Sequence, residues 1–318
     1  MRTLAALCLA LACAAAHAQE AYPSKSVRLV AAAAPGGNPD VLARLLAAKL
    51  ADAFGKPFIV ENIPGAGGVV AAEQVARAAA DGHTLMLGDS GAMAINVALN
   101  PKLSYNPLKD FTLITALAAV PTVLVVNPAV EARTLQDFIH LGKSRQLAYG
   151  SAGNGSVHHL TMAVFLSRAG IDDMLHVPYK GGTALVAGLL GGEVQAGWSG
   201  IPNVASHIKS GKLRVLCIST ISRSASLPDV PTAAELGFAG FDIATVIGLQ
   251  APASLPREIA TRLQAAAARA LREPDVAERM GNLGMELREN GTEHYARFVR
   301  EDLERYIGAV KAAGIKSE

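Results

Sequence analysis

Four times along this chain a short apolar run enters a glycine-rich turn and leaves it as a helix-forming segment. The turns lie at residues 36–37, 65–68, 153–156 and 181–183. A chain punctuated in this way folds as alternating strands and helices, which is the α/β pattern with mainly parallel sheets. Strands are predicted over 27–32, 58–60, 84–87, 123–126, 147–149, 176–178, 194–198 and 213–219. Helices are predicted over 41–54, 69–80, 135–142, 157–169 and 184–190. Asn38 suits the cap of the first helix and Pro39 its first position. The C-terminal part is helical. Pro256 opens a helix with Ile259, Leu263, Ala267 and Leu271 on one face, and Thr292 caps another that carries Tyr295, Phe298, Val299, Leu303, Tyr306, Ile307 and Val310 at three-to-four spacing, suited to dock on a sheet.

The chemistry of these turns is shared. The first N–H groups of each helix have no intrahelical partner. Together with the positive end of the helix dipole they make a place for a carboxylate or phosphate. Glycine lets a ligand approach the backbone closely. One such turn is an ordinary helix start; several facing one crevice make a binding site. No arginine lies in the four turns, and Lys180 is the nearby cation. Such a pocket works with dipoles and with the hydroxyls of Ser90, Ser151, Ser156 and Thr183.

The chain has 318 residues, 51% hydrophobic and 18% charged, with a net charge of +2. That excludes a disordered chain and lacks the basic footprint of a nucleic-acid binder. Arg2, an apolar run over 4–16 and Ala16-His17-Ala18 form an export signal, with cleavage expected after Ala18. The apolar run is too short for a membrane span. Cys8 and Cys13 leave with the signal. Cys217 remains alone in an apolar strand-like run, as a small buried hydrophobe.

Catalytic motifs are fragmentary. Gly88-Asp89-Ser90-Gly91 resembles a hydrolase serine block, and Asp137-x-x-His140 and Asp173-x-x-His176 each fit the partner motif of an esterase. Both copies sit mid-chain and no Gly-x-Asn-Asp block supplies an oxyanion site. There is no G-x-S-x-G, no complete P-loop and no G-x-G-x-x-G, so no cofactor is expected. His158 and His159 are adjacent and point to different sides of a helix, a poor arrangement for a metal. His159 is expected to pack or hydrogen-bond below its loop.

The ordered blocks identify a resemblance. Tyr22-Pro23, Pro35-Gly36-Gly37-x-x-Asp40, Val60-Glu61-Asn62-x-Pro64-Gly65-Ala66-Gly67-Gly68, Asp81-Gly82-x-Thr84-Leu85, Asp110-Phe111, Ser151-Ala152-Gly153-x-Gly155-Ser156-x-x-His159-Leu160, Val177-Pro178-Tyr179-Lys180-Gly181, Gly192-x-Val194 and Leu227-Pro228-Asp229-Val230-Pro231-Thr232-x-x-Glu235 stand in order. They resemble the Bug/TctC family, the periplasmic solute-binding proteins of tripartite tricarboxylate transporters, over essentially the whole chain beyond the signal.

The resemblance implies a two-lobed periplasmic binding protein fold, type II-like, with a ligand cleft between two doubly wound α/β domains. Residues 19–122 and 246–318 would form one lobe and 123–245 the other, with crossings near 121–123 and 245–248. A monomer is expected, and no segment after the signal is long and apolar enough to anchor it in a membrane once the signal is cleaved. The guest is a small carboxylate, and the partners are the permease subunits of such a transporter. A ligand sensor that presents its guest to a sensor kinase, or an esterase using Ser90, are the alternatives.

By position the ligand contacts fall on Gly36, Gly37, Asn38, Asp40, Ser90, Ser151, Asn154, Gly155, Ser156, Tyr179, Lys180, Gly181, Gly182 and Thr183. Asp40 has two readings, a ligand contact or a charge that suits its own helix dipole. Trp198, with its amphipathic body, is expected on the pocket wall beside Ser199. Three departures bear on the ligand. Ser199 stands where the family usually has an acidic residue, which points away from an amino-acid guest. Val246 or Ile247 replaces a usual tryptophan, and Pro39, with no N–H, replaces a small polar residue.

Overall fold

The computed structural model describes residues 22–100, 102–288 and 291–312. The expected export signal at 1–18, with Cys8 and Cys13, lies outside the described residues. Apolar runs form the strands β1 (Val27–Ala31), β2 (Phe58–Asn62) and β3 (Thr84–Asp89). Between them lie helices α1 (Asn38–Phe54) and α2 (Val69–Ala76), the second preceded by a 3-10 turn at Ala66–Gly68. A π-helical turn at Gly91–Ile95 leads into α3 (Asn96–Leu99). Strand β4 follows at Phe111–Val126.

The next region alternates α4 (Leu135–Ser144), β5 (Leu147–Ser151), α5 (Val157–Ala169), β6 (Met174–Pro178), α6 (Gly182–Gly191), β7 (Ala196–Gly200), α7 (Ile201–Lys209) and β8 (Arg214–Ile218). The chain closes with β9 (Ala244–Pro252), α8 (Arg257–Arg272), α9 (Pro274–Asn282), β10 (Glu286–Leu287) and α10 (Thr292–Ala312).

The sheets are mixed, not mainly parallel. β1 pairs in parallel with β2 and β3, and β5 with β6 and β7. β4 and β9, by contrast, are antiparallel to their neighbours. β4 belongs to two sheets. Its residues 111–121 pair with β9, whereas 122–126 pair with β7 and 123–126 with β8. The sequence reading found only 123–126 of this strand, because a buried central strand loses the alternation that marks a half-exposed one.

The direction of β4 sets the geometry. β9 is antiparallel to both β3 and β4, so β1, β2 and β3 run the same way as β4, toward the second sheet. β5, β6 and β7 run against β4, toward the first. The carboxyl ends of the parallel strands in both sheets therefore face one gap. Ligands of open α/β sheets bind at such ends.

Ser219 pins the crossing. Its Oγ accepts the Thr122 N–H (3.2 Å) and the Thr122 hydroxyl (2.8 Å), and donates to the Ile243 carbonyl. Its N–H donates to Thr122 O, and its carbonyl accepts the Ile243 N–H, each at 2.9 Å. The hydroxyl thus uses its full capacity of one donor and two acceptors.

Helices cover both faces of each sheet. α1 and α8 pack with Leu29, Leu85 and Leu117, while α2 and the start of α10 pack with Val30 and Met86 on the other face. α4 and α5 pack with Leu124 and Trp198, opposite α6 and α7. α10 serves both sheets: Tyr295 and Val299 join one core, Tyr306 and Val310 the other. Gly248 of β9 lies under the Tyr295 ring, where an added Cβ would collide with the hydroxyl end. Gln250 holds that hydroxyl and also accepts the Gly88 N–H at 2.9 Å. Gly248→Ala is expected to destabilise the fold by about 1–3 kcal/mol through overpacking, read as a lowered midpoint in a thermal melt.

Candidate functional site

The gap between the facing strand ends contains a cavity of about 460 Å³, within the usual size range of small-ligand sites. All four glycine turns border it: Gly37 and Asn38 from the first, residues 65–68 from the second, Gly153, Asn154 and Ser156 from the third, Gly181 and Gly182 from the fourth. Tyr179 and Lys180 complete that side, and Asp89, His158, Asn203 and Thr245 line the remainder.

Each turn is held by local chemistry. Asp40 organises the first. Its carboxylate accepts the Gly36 N–H and the Asn62 amide, both at 2.8 Å, and pairs with Arg44 at 2.9 Å. Burial opposes the Asp40 anion, but the bonds from Arg44, Gly36 and Asn62 outweigh it and hold the carboxyl below its ordinary range. In the third turn Ser156 caps α5, accepting the His159 N–H at 3.3 Å and donating to Gly153 O at 2.7 Å. Ser151 sits beneath, accepting the Gly153 N–H at 3.1 Å and contacting His176 Nε2 at 2.7 Å. His176 is stacked between Tyr149 and His159, with centroids 4.8 and 4.2 Å away. Burial and the His159 ring push its pKa down to about 4.

The turns also touch across the gap. Asn96 Nδ2 donates toward Gly67 O (3.2 Å) and Gly91 O (2.8 Å) on one side and Gly155 O (3.1 Å) on the other. A side chain at Gly155 would overlap the Asn96 amide. Thr183 Oγ1 donates to Pro35 O at 3.4 Å. A methyl at Gly181 would sit 3.3 Å from the Ala34 methyl. The second turn thus meets the third, and the fourth meets the first, enclosing the cavity between them.

Several expected contacts are displaced from the wall. Trp198 is corrected outright: its ring is wholly buried, stacked on Phe241 at 5.6 Å and edge-on to Phe165 at 6.1 Å. Ser199 follows it into the interior. Ser90 accepts the Val246 N–H at 3.1 Å and lies outside the lining, which deprives the esterase reading of an accessible nucleophile. Asp40, Ser151, Gly155, Gly36 and Thr183 act one step back, by shaping or bridging the turns, and are not wall residues.

Sequence reading missed Asp89, His158, Asn203 and Thr245 as wall residues, and left the second turn out of the site. Asp89 stands just beyond the strand expected over 84–87, and β3 carries it to the cavity edge. Its Oδ1 accepts the N–H groups of Gly91 (2.9 Å) and Ala92 (3.4 Å). Burial nevertheless raises its pKa to about 6. His158 is enclosed, and burial lowers its pKa to about 4, so the ring is neutral at pH 7. Both its nitrogens, Asn38 Oδ1 and Thr245 Oγ1 are buried without a hydrogen-bond partner. Buried polar atoms are normally satisfied; these four belong to residues of the cavity lining. Among the described residues no group of His, Cys, Asp or Glu is arranged for a metal ion.

The family model of the tripartite tricarboxylate transporter family receptors, TctC, matches residues 42–315. The chain belongs to this family. It is 35% identical over 300 residues to protein BugT of Bordetella pertussis, covering 93% of this chain and 92% of that protein. Among solved structures it resembles Rpa4515 of R. palustris with adipate, at 31% identity and a TM-score of 0.89, over 93% of this chain and 99% of the other. MatC from Rhodopseudomonas palustris with bound malate is 35% identical with a TM-score of 0.87, over 91% and 100%. TctC proteins of this kind are two-lobed solute-binding proteins, not enzymes.

In this TctC protein the cavity groups couple folding to pH with opposite signs. His158 is kept neutral, so its stabilisation is intact above pH 6.5 and is lost as pH falls toward 4, by about 3 kcal/mol. Asp89 is raised, so folding takes up a proton there: it favours the fold below pH 3.8 and loses that as pH rises to 6, by a similar amount. Relative to the native chain, His158→Gln is expected to flatten the fall in thermal midpoint between pH 6.5 and 4.5, and Asp89→Asn to steepen it. Thermal melts across that window check both signs.

Proposed function

We propose that this chain is an exported periplasmic receptor that traps a small carboxylate between two lobes and delivers it to the permease subunits of a tripartite tricarboxylate transporter. The lobes are residues 19–122 with 246–318, and 123–245. The observation that carries the reading is the single cavity bordered by helix-opening turns from both sheets. Adipate in Rpa4515 and malate in MatC support the choice of a carboxylate. Among the described residues no helix is long and apolar enough to cross a membrane.

The work of such a receptor is closure. A guest shifts the balance between open and closed forms only through its differential affinity for them. Donors from turns on both sheets reach one guest only when the gap is shut, so a carboxylate bridging them favours the closed form. The bridges from Asn96 to Gly155 and from Thr183 to Pro35 form in the same movement. These are modest neutral bonds, each contributing about 0.5–1.5 kcal/mol, so closure stays reversible.

A thermal-shift screen over mono-, di- and tricarboxylates and aromatic acids tests the reading. A guest at a hundred times its Kd raises stability by about 2.7 kcal/mol, and no shift with any acid would remove the proposal. For the acid that binds, Gly37→Asp is expected to weaken affinity at least tenfold, because it adds bulk and negative charge at the first turn. Titration calorimetry reads the change, with circular dichroism to verify the fold. Unchanged affinity would take the first turn out of the site.

A further inference from the structure

The polar wall of the cavity is unbalanced. Its charged lining residues are Lys180, which is exposed, and Asp89, which is partly covered at the end of β3. Two backbone N–H groups bind Asp89 Oδ1, which leaves the carboxylate with unused acceptor capacity. Among the described residues no arginine, lysine or histidine forms an ion pair with it. Lys180 and the starts of α5 and α6 offer donors from the second sheet, and the start of α1 offers them from the first.

A guest matching this wall has an anionic group for the donors and a cationic donor for Asp89. We propose that Asp89 is the specificity-determining residue of the cavity, and that its guest is a small carboxylate that also carries a primary ammonium group. This rests on the reading of the cavity as a carboxylate site. It reverses the expectation drawn from Ser199, where the absent acid pointed away from amino acids. Asp89 supplies the missing charge from a different strand. A hydroxyl in place of the ammonium would leave the enclosed charge uncompensated, and a charge-assisted bond is roughly twice as strong as a neutral one. The raised pKa of about 6 still leaves Asp89 mainly ionised at neutral pH, ready for a cation.

Titration calorimetry at pH 7.5 with matched sets of three- to six-carbon mono- and dicarboxylates, each in unsubstituted, 2-hydroxy and 2-amino form, decides the point. The best amino form is expected to bind at least tenfold more tightly than its two counterparts. Asp89→Asn, which keeps an acceptor for Gly91 and Ala92, is expected to bring the three within threefold of one another. Equal binding of a hydroxy or unsubstituted form to the native chain, or a tenfold amino preference that survives in Asp89→Asn, would overturn the inference while leaving the carboxylate reading intact. If no acid of the series binds, the inference falls, and the carboxylate reading is then decided by the wider thermal-shift screen.

The native chain gives a second readout should the variant not fold. Affinity for the amino form is expected to drop severalfold from pH 7.5 to 5 as Asp89 takes up a proton; a flat profile would overturn the inference. Of the other groups around Asp89, His158 on α5 stays neutral over this range, and burial pushes the Tyr105, Tyr295 and Tyr306 hydroxyls up, so they stay protonated. Lys180 stands on the second sheet's side of the cavity, and Asp302, also raised by burial, pairs with Arg305 away from the lining.

Discussion

The direction of one strand governs this molecule. β4 passes out of one sheet and into the other, parallel to the strands it leaves and antiparallel to those it joins. Every helix that follows a parallel strand therefore begins at the same gap. Orphan N–H groups, which any α/β protein has, become a shared resource only because this crossing aims them together. Ser219 secures the arrangement by joining both chain crossings with one saturated hydroxyl. A break there would loosen the relation between the sheets and leave each core intact.

Around the gap the division of labour follows distance from the cavity. Asp40, Ser151 and the His176 stack hold turns in shape from behind, and Asn96 and Thr183 reach across. The wall itself is made largely of backbone, small side chains and a few polar groups held short of partners. A receptor that must release its guest suits such a wall.

The glycine turns were legible because their signal is local. Positive φ values at Gly36, Gly153, Gly155 and Gly181 are open to glycine and strained for other residues, so the sequence marks them wherever they fall. Capping by Ser156 and the helix start at Pro39 are read from neighbours one to three residues away. Trp198 was misplaced because its environment is made by Phe165 and Phe241, distant in the chain and invisible to a local pattern. His158 was passed over beside His159. One turns to the cavity and the other stacks on His176, a difference of helix face that matters only once the sheet is in place.

By itself, then, the amino-acid order determined the alternation of strands and helices, the four turns and the family to which the chain belongs. Each of these depends on chemistry within a few residues or on an ordered set of such blocks. Tertiary structure alone decided that the turns share one cavity, that β4 extends over both sheets, that Trp198 serves a core and that Asp89 lines the cavity. Those outcomes depend on which strands pair and in which direction, and pairing is fixed by contacts between residues far apart in the chain.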